Sequence, residues 1–339
     1  MLYEREAFNL LILAKAAMSM MLGFILSIVC GIILIPLLKK KNVGQFINSL
    51  IHVRHQDKKG TPTMGGIIFI IPVLLTIFLL YLRGSIDFSY NLCILLFVFI
   101  ACGVLGFIDD HLKIHKKKNE GLSSVNKFLA QMFIALIFFF LYLKGGGDAV
   151  LSITFLNIHL PLNWVFGIFI LFVLLATTNA VNITDGLDGL ATGLSIISFL
   201  AYGIIAWNCG WLVGYEEIAI FCFVLVGSLM GFLVFNSHPA KVFMGDLGSL
   251  ALGGALATIA IITKHEFSLI LVGGVFVIET ATSLIQIIAI RQFKRKVFKK
   301  APLHHHFEEC GWIESDIVKV FYIVGLILSM IAITYGVWL

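Results

Sequence analysis

The sequence predicts an all-α polytopic membrane protein of about ten transmembrane helices, with both termini extracytoplasmic and a small extracytoplasmic β-hairpin between helices 4 and 5. Three observations carry that prediction. Of the 339 residues 60% are hydrophobic and only 13% charged, with a mean hydropathy of +1.02, more apolar surface than a soluble domain of this size can hide. The apolar residues gather into ten runs, each close to the roughly 20 residues that one bilayer crossing takes. Basic residues concentrate in alternate connections, the pattern of short loops that stay cytoplasmic.

The first run, 18–38, follows acidic Glu4 and Glu6 and meets no small-residue cleavage site before Lys39-Lys40-Lys41, so it reads as a retained span and not a signal peptide. Its following loop carries those lysines with Arg54, Lys58 and Lys59. Runs two and three, 66–82 and 91–108, lead into a connection holding Lys113, Lys116, Lys117 and Lys118. After run four, 127–143, the stretch from Lys144 to Asn163 has Gly145-Gly146-Gly147 and then the alternating Leu151-Ser152-Ile153-Thr154-Phe155, which predicts the hairpin. Runs 162–181, 190–207, 217–235 and 247–263 follow, with Lys241 after the seventh run. The ninth, 268–290, precedes Arg291, Lys294, Arg295, Lys296, Lys299 and Lys300, and the tenth covers 317–338. The other connections hold little beyond Arg83, Lys144 and Lys264, so odd-to-even connections face the cytoplasm. Taken singly, most of these lysines read as topology signals and anionic headgroup contacts. Cys30, Cys93, Cys102, Cys209, Cys222 and Cys310 show no paired spacing and read as small packing residues. Trp207, Trp211, Trp312 and Trp338 fall near predicted interfaces, as belt anchors do. No repeat, low-complexity tract or linker divides the chain, which reads as one integral membrane domain over 1–339.

Four hydrophilic clusters interrupt this apolar chain, all in connections assigned to the cytoplasmic side. Asp109-Asp110 closes the third run, and two adjacent acids at a helix C-terminus oppose the helix dipole and each other unless a cation or a function offsets the cost. An interfacial stop signal is the plainer reading, but lysine serves that purpose better; magnesium coordination or proton acceptance suits the pair. The second cluster places Asn179, Asn182, Asp185 and Asp188 at three-residue steps, one face of a helical turn, with Gly186 and Gly189 letting backbone approach a ligand. Capping of the next helix explains one of its acids and not the series. The third cluster runs from Asn236 to Ser249: Pro239 ends a helix, Lys241 offers phosphate a cation, and Asp246 opens the next span between Gly245 and Gly248. A helix cap accounts for Asp246 alone, without Asn236 and Lys241 in the same short loop. The fourth, Pro302-Leu303-His304-His305-His306-Phe307-Glu308, is internal and so no tag; imidazoles here can bind phosphate, orient a carboxylate or move a proton, and no paired cysteine supports zinc. Together they suggest a site for a phosphate-rich, metal-bound substrate beside lipid.

With Gly60-Thr61-Pro62-Thr63-Met64-Gly65-Gly66 added, these motifs resemble the polyprenyl-phosphate N-acetylhexosamine-1-phosphate transferases over nearly the whole chain. The Pro302 to Glu308 segment is similar to the muramoyl-pentapeptide branch of that family. The resemblance implies transfer of phospho-N-acetylmuramoyl-pentapeptide from UDP-MurNAc-pentapeptide to undecaprenyl phosphate, forming lipid I and UMP at the cytoplasmic face of the bacterial plasma membrane. It implies Mg2+ as cofactor, the two substrates and membrane lipid as partners, no nucleic acid, and a homodimer. Carried over by motif, Asp246 is the magnesium ligand, and Asp109 and Asp110 deprotonate the lipid phosphate or help hold the metal. Asn182, Asp185, Asp188, Asn236, Phe243 and Gln286 are substrate contacts on the nucleotide side, and His305 (also catalytic) and His306 meet phosphate or nucleotide. Lys113, Lys117 and Lys127 neutralise diphosphate charge. Direct attack by the lipid phosphate is the favoured mechanism, with a covalent aspartyl intermediate left open.

Glu279 falls well inside the ninth run with Gln286 two turns on, a buried stripe open to internal pairing or function. A secondary transporter would place its acids near the midplane and often carry repeats, whereas these acids sit at span ends on one side. An intramembrane aspartyl protease would need Tyr-Asp and Gly-x-Gly-Asp pairs, but Asp246 follows Phe243-Met244-Gly245. Within the transferases, an N-acetylglucosamine-1-phosphate transferase is the runner-up.

Overall fold

The structure, a computed structural model, describes residues 2–40, 60–116, 121–153, 158–208 and 214–338, with no side chains for 2–12, 153, 208, 337 and 338. Lys41, Arg54, Lys58, Lys59, Lys117, Lys118, Thr154, Phe155, Cys209 and Trp211, and with them the roles assigned above, lie outside the described residues.

The apolar runs become helices α1 (Leu2–Lys40), α2 (Ile67–Leu82), α3 (Tyr90–Lys116), α4 (Ser124–Lys144), α5 (Val165–Thr184), α6 (Leu190–Asn208), α7 (Tyr215–Asn236), α8 (Gly245–Ile262), α9 (Ser268–Val272), α10 (Gly274–Phe293), α11 (Leu303–Glu309) and α12 (Glu314–Trp338). Among the described residues nine of them, α1, α3 to α8, α10 and α12, are long and apolar enough to cross a bilayer. The tenth apolar helix, α2, has 16 residues, about 24 Å at 1.5 Å per residue. Between α4 and α5 lies the expected hairpin: β1 (Val150–Ile153) pairs antiparallel with β2 (Ile158–Pro161), Val150 opposite Pro161 and Ile153 opposite Ile158.

Two runs differ from their reading. The ninth is not one helix: α9 stops at Gly273, which turns out of helical geometry (φ −93°, ψ 19°), and α10 restarts at Gly274. Two adjacent glycines remove the side-chain bias that would hold a helix through this point. The third run extends past its apolar end to Lys116, so Asp109 and Asp110 lie about two turns inside α3, not at its C-terminus.

Helix α8 is the centre of the bundle. Nearly every residue from Asp246 to Ile262 is buried, and its small residues bring neighbours to backbone distance. A side-chain carbon at Gly253 would meet the Thr178 Cα of α5 at 2.5 Å, one at Gly254 the Cys102 sulfur of α3 at 2.8 Å. Close packing of α3 and α5 on α8 sets the ends of all three helices side by side. Of the described cysteines, all free, Cys102 and Cys222 are buried as packing residues, whereas Cys93 and Cys310 are exposed.

Candidate active site

Helix α8 begins at Gly245, whose left-handed backbone (φ +74°) turns the chain so that Asp246 enters the first helical turn. Helix α3 crosses this end at Gly106, where any side-chain carbon would collide with the Asp246 carbonyl. The next turn of α3 then reaches the α8 terminus. Asp110 Oδ2 accepts from the Leu247 N–H at 3.0 Å, and Asp109 Oδ1 accepts from the Leu122 N–H at 2.8 Å. The dipole cost read from the sequence is thus offset, because Asp110 sits at the positive end of a different helix.

One oxygen from each of Asp109, Asp110 and Asp246 lies within 4.8 Å of the others, and all three residues are buried. Lys113 Nζ stands 2.7 Å from Asp109 Oδ2 and 3.0 Å from Asp246 Oδ2. Lys127, from the first turn of α4, stands 3.2 Å and 2.7 Å from the same two oxygens. Three carboxylates facing two ammonium groups leave one negative charge over when all are ionised, and hard divalent cations take oxygen donors of this kind. The acidic trio therefore fits a metal ion.

The end of α5 ties this trio to the other clusters. Asn182 donates to Asp246 Oδ1 at 2.8 Å and to Ser249 Oγ at 2.9 Å. The helix stops at Thr184, so the three-residue series does not form one helical face: Asn179 is exposed, and Asp185 and Asp188 lie in the turn beyond. Asp188 does more than begin α6, since its Oδ2 accepts from the Ala240 N–H at 3.0 Å and lies 3.0 Å from His238 Nδ1, while its own N–H donates to Glu314 Oε1 at 2.7 Å. Asn236 is buried, accepting from Thr192 Oγ1 at 2.6 Å and donating to the Val242 carbonyl at 3.0 Å. The Gly60 to Gly66 segment lies against the same loop: the Phe243 N–H donates to the Pro62 carbonyl at 2.8 Å, and Gly65 and Gly66 donate back to the Phe243 and Met244 carbonyls.

The triple histidine forms α11. His305 Nδ1 lies 2.6 Å from Glu308 Oε2, and burial pulls the His305 imidazole below its ordinary range against the opposing pull of that carboxylate. His306 Nδ1 accepts from the Lys299 N–H at 3.1 Å. Gln286 fastens the same connection, accepting from the Val297 and Phe298 N–H groups and donating to the Phe298 carbonyl, each at 3.0 Å.

Residues 92–264, just over half the chain, match the glycosyl transferase family 4, and residues 58–70 match phospho-N-acetylmuramoyl-pentapeptide-transferase signature 1. The phospho-N-acetylmuramoyl-pentapeptide-transferase of Geobacillus thermodenitrificans is 45% identical over 321 residues, 95% of this chain and 98% of the relative. That of Bacillus subtilis is 43% identical over the same shares. The chain belongs to the phospho-N-acetylmuramoyl-pentapeptide-transferase family.

It is accordingly a transferase and a multi-pass bacterial membrane protein, which sets aside the transporter and aspartyl protease readings. Of the site residues expected from sequence, the structure brings Asp109, Asp110, Lys113, Lys127, Asn182 and Asp246 into direct contact and places Asp185, Asp188 and Phe243 in the adjoining loops and Asn236 at the end of α7. Gln286, His305 and His306 stand around the 294–302 connection. Sequence reasoning missed Ser249, Thr192, His238 and Glu314 as partners of the expected residues, and gave Pro62 to Gly66 no position. Each lies far along the chain from its partner, so no local spacing marks the contact.

Proposed function

We infer that this protein transfers phospho-N-acetylmuramoyl-pentapeptide from UDP-MurNAc-pentapeptide to undecaprenyl phosphate, giving lipid I and UMP, the first membrane step of peptidoglycan synthesis. The observation that carries the reading is the identity of 43–45% over 95% of the chain with transferases of that name. In this reading 1–339 is one domain, its site opens to the cytoplasm, and the working form is a homodimer.

Asp246, with whichever of Asp109 and Asp110 does not serve as the base, would hold Mg2+, which when bound offsets negative charge on the donor diphosphate and on the departing nucleotide. Lys113 and Lys127 add positive charge beside the same oxygens. Asp109 or Asp110 takes the proton of the lipid phosphate, and an oxygen of that phosphate attacks the phosphorus next to the sugar. A phosphorus–oxygen bond forms to the lipid, the bond to the bridging oxygen breaks, and UMP leaves with that oxygen. Asn182, Asp185, Asp188, Asn236, Phe243 and Gln286 take the nucleotide side, with His305, His306 and, outside the described residues, Lys117 near the phosphates.

An open groove of about 590 Å³ beside Gln286 has both apolar and cationic walls, Ile183 and Ile287 lining it together with Lys296, Lys299 and Lys300. An anionic headgroup and an apolar chain are both accommodated by such walls. Donor choice tests the reading. Purified protein with Mg2+ and undecaprenyl phosphate is expected to release UMP from UDP-MurNAc-pentapeptide and not from UDP-N-acetylglucosamine; release from the second donor alone overturns the substrate assignment.

A further inference from the structure

Glu279, the single acid of α10, is fully excluded from solvent, and the chemistry above does not use it. An ionisable group so placed needs strong partners. Both its oxygens have one, and both partners are the same residue. His304 donates its backbone N–H to Oε1 at 3.1 Å, and its Nδ1 lies 2.8 Å from Oε2. The His304 ring is itself only 1% exposed, and its other nitrogen, Nε2, is buried with no hydrogen-bond partner.

That asymmetry fixes the tautomer. A proton on Nε2 would be a buried donor with nothing to accept it, whereas a proton on Nδ1 faces a carboxylate. His304 therefore carries its proton on Nδ1, toward Glu279. The unprotonated Nε2 edge lies against Gly186, where a Cβ would collide with it. On its other side the ring stands beside His305, centroids 4.3 Å apart. The imidazole is thus a fixed spacer between α10 and the turn bearing Asp185 and Asp188. Through His304, Glu279 thus reaches the turn that follows α5.

Gln286 stands seven residues along the same helix and holds the Val297 and Phe298 backbone. Two residues of one α10 stripe therefore fasten the middle of the basic connection and the histidine helix that follows it.

We propose that Glu279 is a positioning residue for the donor: through the Nδ1–H tautomer of His304 it seats α11 and the Asp185–Asp188 turn against each other in the geometry that binds the nucleotide side of the substrate. This rests on the transferase reading for what the turn binds, and on geometry alone for what Glu279 does to His304. Loss of the carboxylate loosens the donor subsite and leaves the lipid side untouched.

The test combines kinetics with spectroscopy on detergent-purified full chain. Glu279→Gln is expected to raise the KM for UDP-MurNAc-pentapeptide roughly 10- to 100-fold, by analogy with the carboxylate partners of metal-bound histidines, with the KM for undecaprenyl phosphate within about twofold. His304→Gln should act alike, and the double variant should be no worse than either single one, because the two act as a unit. Gly186→Ala displaces the ring from its opposite side, leaves Glu279 in place, and should raise the donor KM in the same direction. Nitrogen NMR of 15N-histidine-labelled protein, with His304 assigned by its loss in His304→Gln, should show Nδ1 protonated in the wild type and a changed tautomer in Glu279→Gln. Wild-type protonation at Nε2, or a Glu279→Gln variant with unchanged donor KM, or equal losses on donor and lipid, overturns the proposal. If the wild type releases no UMP at all, the transferase reading fails while the NMR result still decides the tautomer.

Discussion

Asn182 offers a graded test of how the acidic trio is organised. Its amide donates to Asp246 Oδ1 at 2.8 Å and to Ser249 Oγ at 2.9 Å, so it holds the carboxylate from the side away from the two lysines. A hydrogen bond to a charged group is worth about 1.5–3 kcal/mol, which at 1.4 kcal/mol per decade is roughly 10- to 150-fold. Asn182→Ala should lower kcat by that factor if the bond orients Asp246 in the working site. Asn182→Asp goes further, replacing the donor with a fourth carboxylate about 3 Å from Asp246 Oδ1; two charges at that separation repel by roughly 5 kcal/mol at an effective dielectric of 20. Continuous UMP release at saturating donor and lipid, with thermal unfolding as a check on folding, should therefore rank wild type above Asn182→Ala and Asn182→Ala above Asn182→Asp. An Asn182→Ala enzyme within twofold of wild type, or an aspartate variant as active as the alanine one, would mean that this amide does not hold Asp246 in its working orientation.

Lys113 and Lys127 face the same two oxygens, so each single Lys→Met change leaves one ammonium in place; each should lower kcat by roughly tenfold, and the double variant by more than the product of the singles in a double-mutant cycle. A Cβ at Gly66 would fall 2.5 Å from the Gly248 Cα, so Gly66→Ala should wedge α2 from α8 and cost about 1–3 kcal/mol, read as a lowered unfolding temperature. Between α8 and α9, Glu266 is buried, and burial raises its carboxyl to about 7, against the opposing pull of its own backbone N–H and of Lys264. The folded state therefore prefers Glu266 protonated: its contribution is present below the ordinary value of 4.5 and is lost as pH rises through about 7. Wild-type thermal stability should accordingly fall between pH 5 and 7.5 (roughly the window set by that shift) more steeply than that of Glu266→Gln.

Much of this architecture is legible in the sequence because a bilayer imposes a length and a charge pattern on each segment. The hairpin is legible too, since Leu151-Ser152-Ile153 alternates as a strand does. What composition cannot mark is the place of a break inside an apolar run: Gly273-Gly274 divides the ninth run and leaves Glu279 in the second turn of α10. At the site, residue chemistry pointed to Asp109, Asp110 and Asp246, and the family resemblance added Lys113 and Lys127; the five meet across three helices. It did not separate Asp110 from its own unfavourable helix end, because the compensating N-terminus belongs to α8, more than a hundred residues further on. The same distance hides Glu314 from Asp188 and Pro62 from Phe243. Such pairings follow from how α3, α5 and α8 pack and leave no local signal.

The decisive measurement is UMP release by the purified wild type and by Asp246→Ala, each with UDP-MurNAc-pentapeptide, with and without undecaprenyl phosphate and Mg2+. Release that requires both lipid and Mg2+ and vanishes in Asp246→Ala is the predicted result. Release that persists in the variant, or that proceeds in the wild type without the lipid, would contradict a reaction centred on the acidic trio at the end of α8.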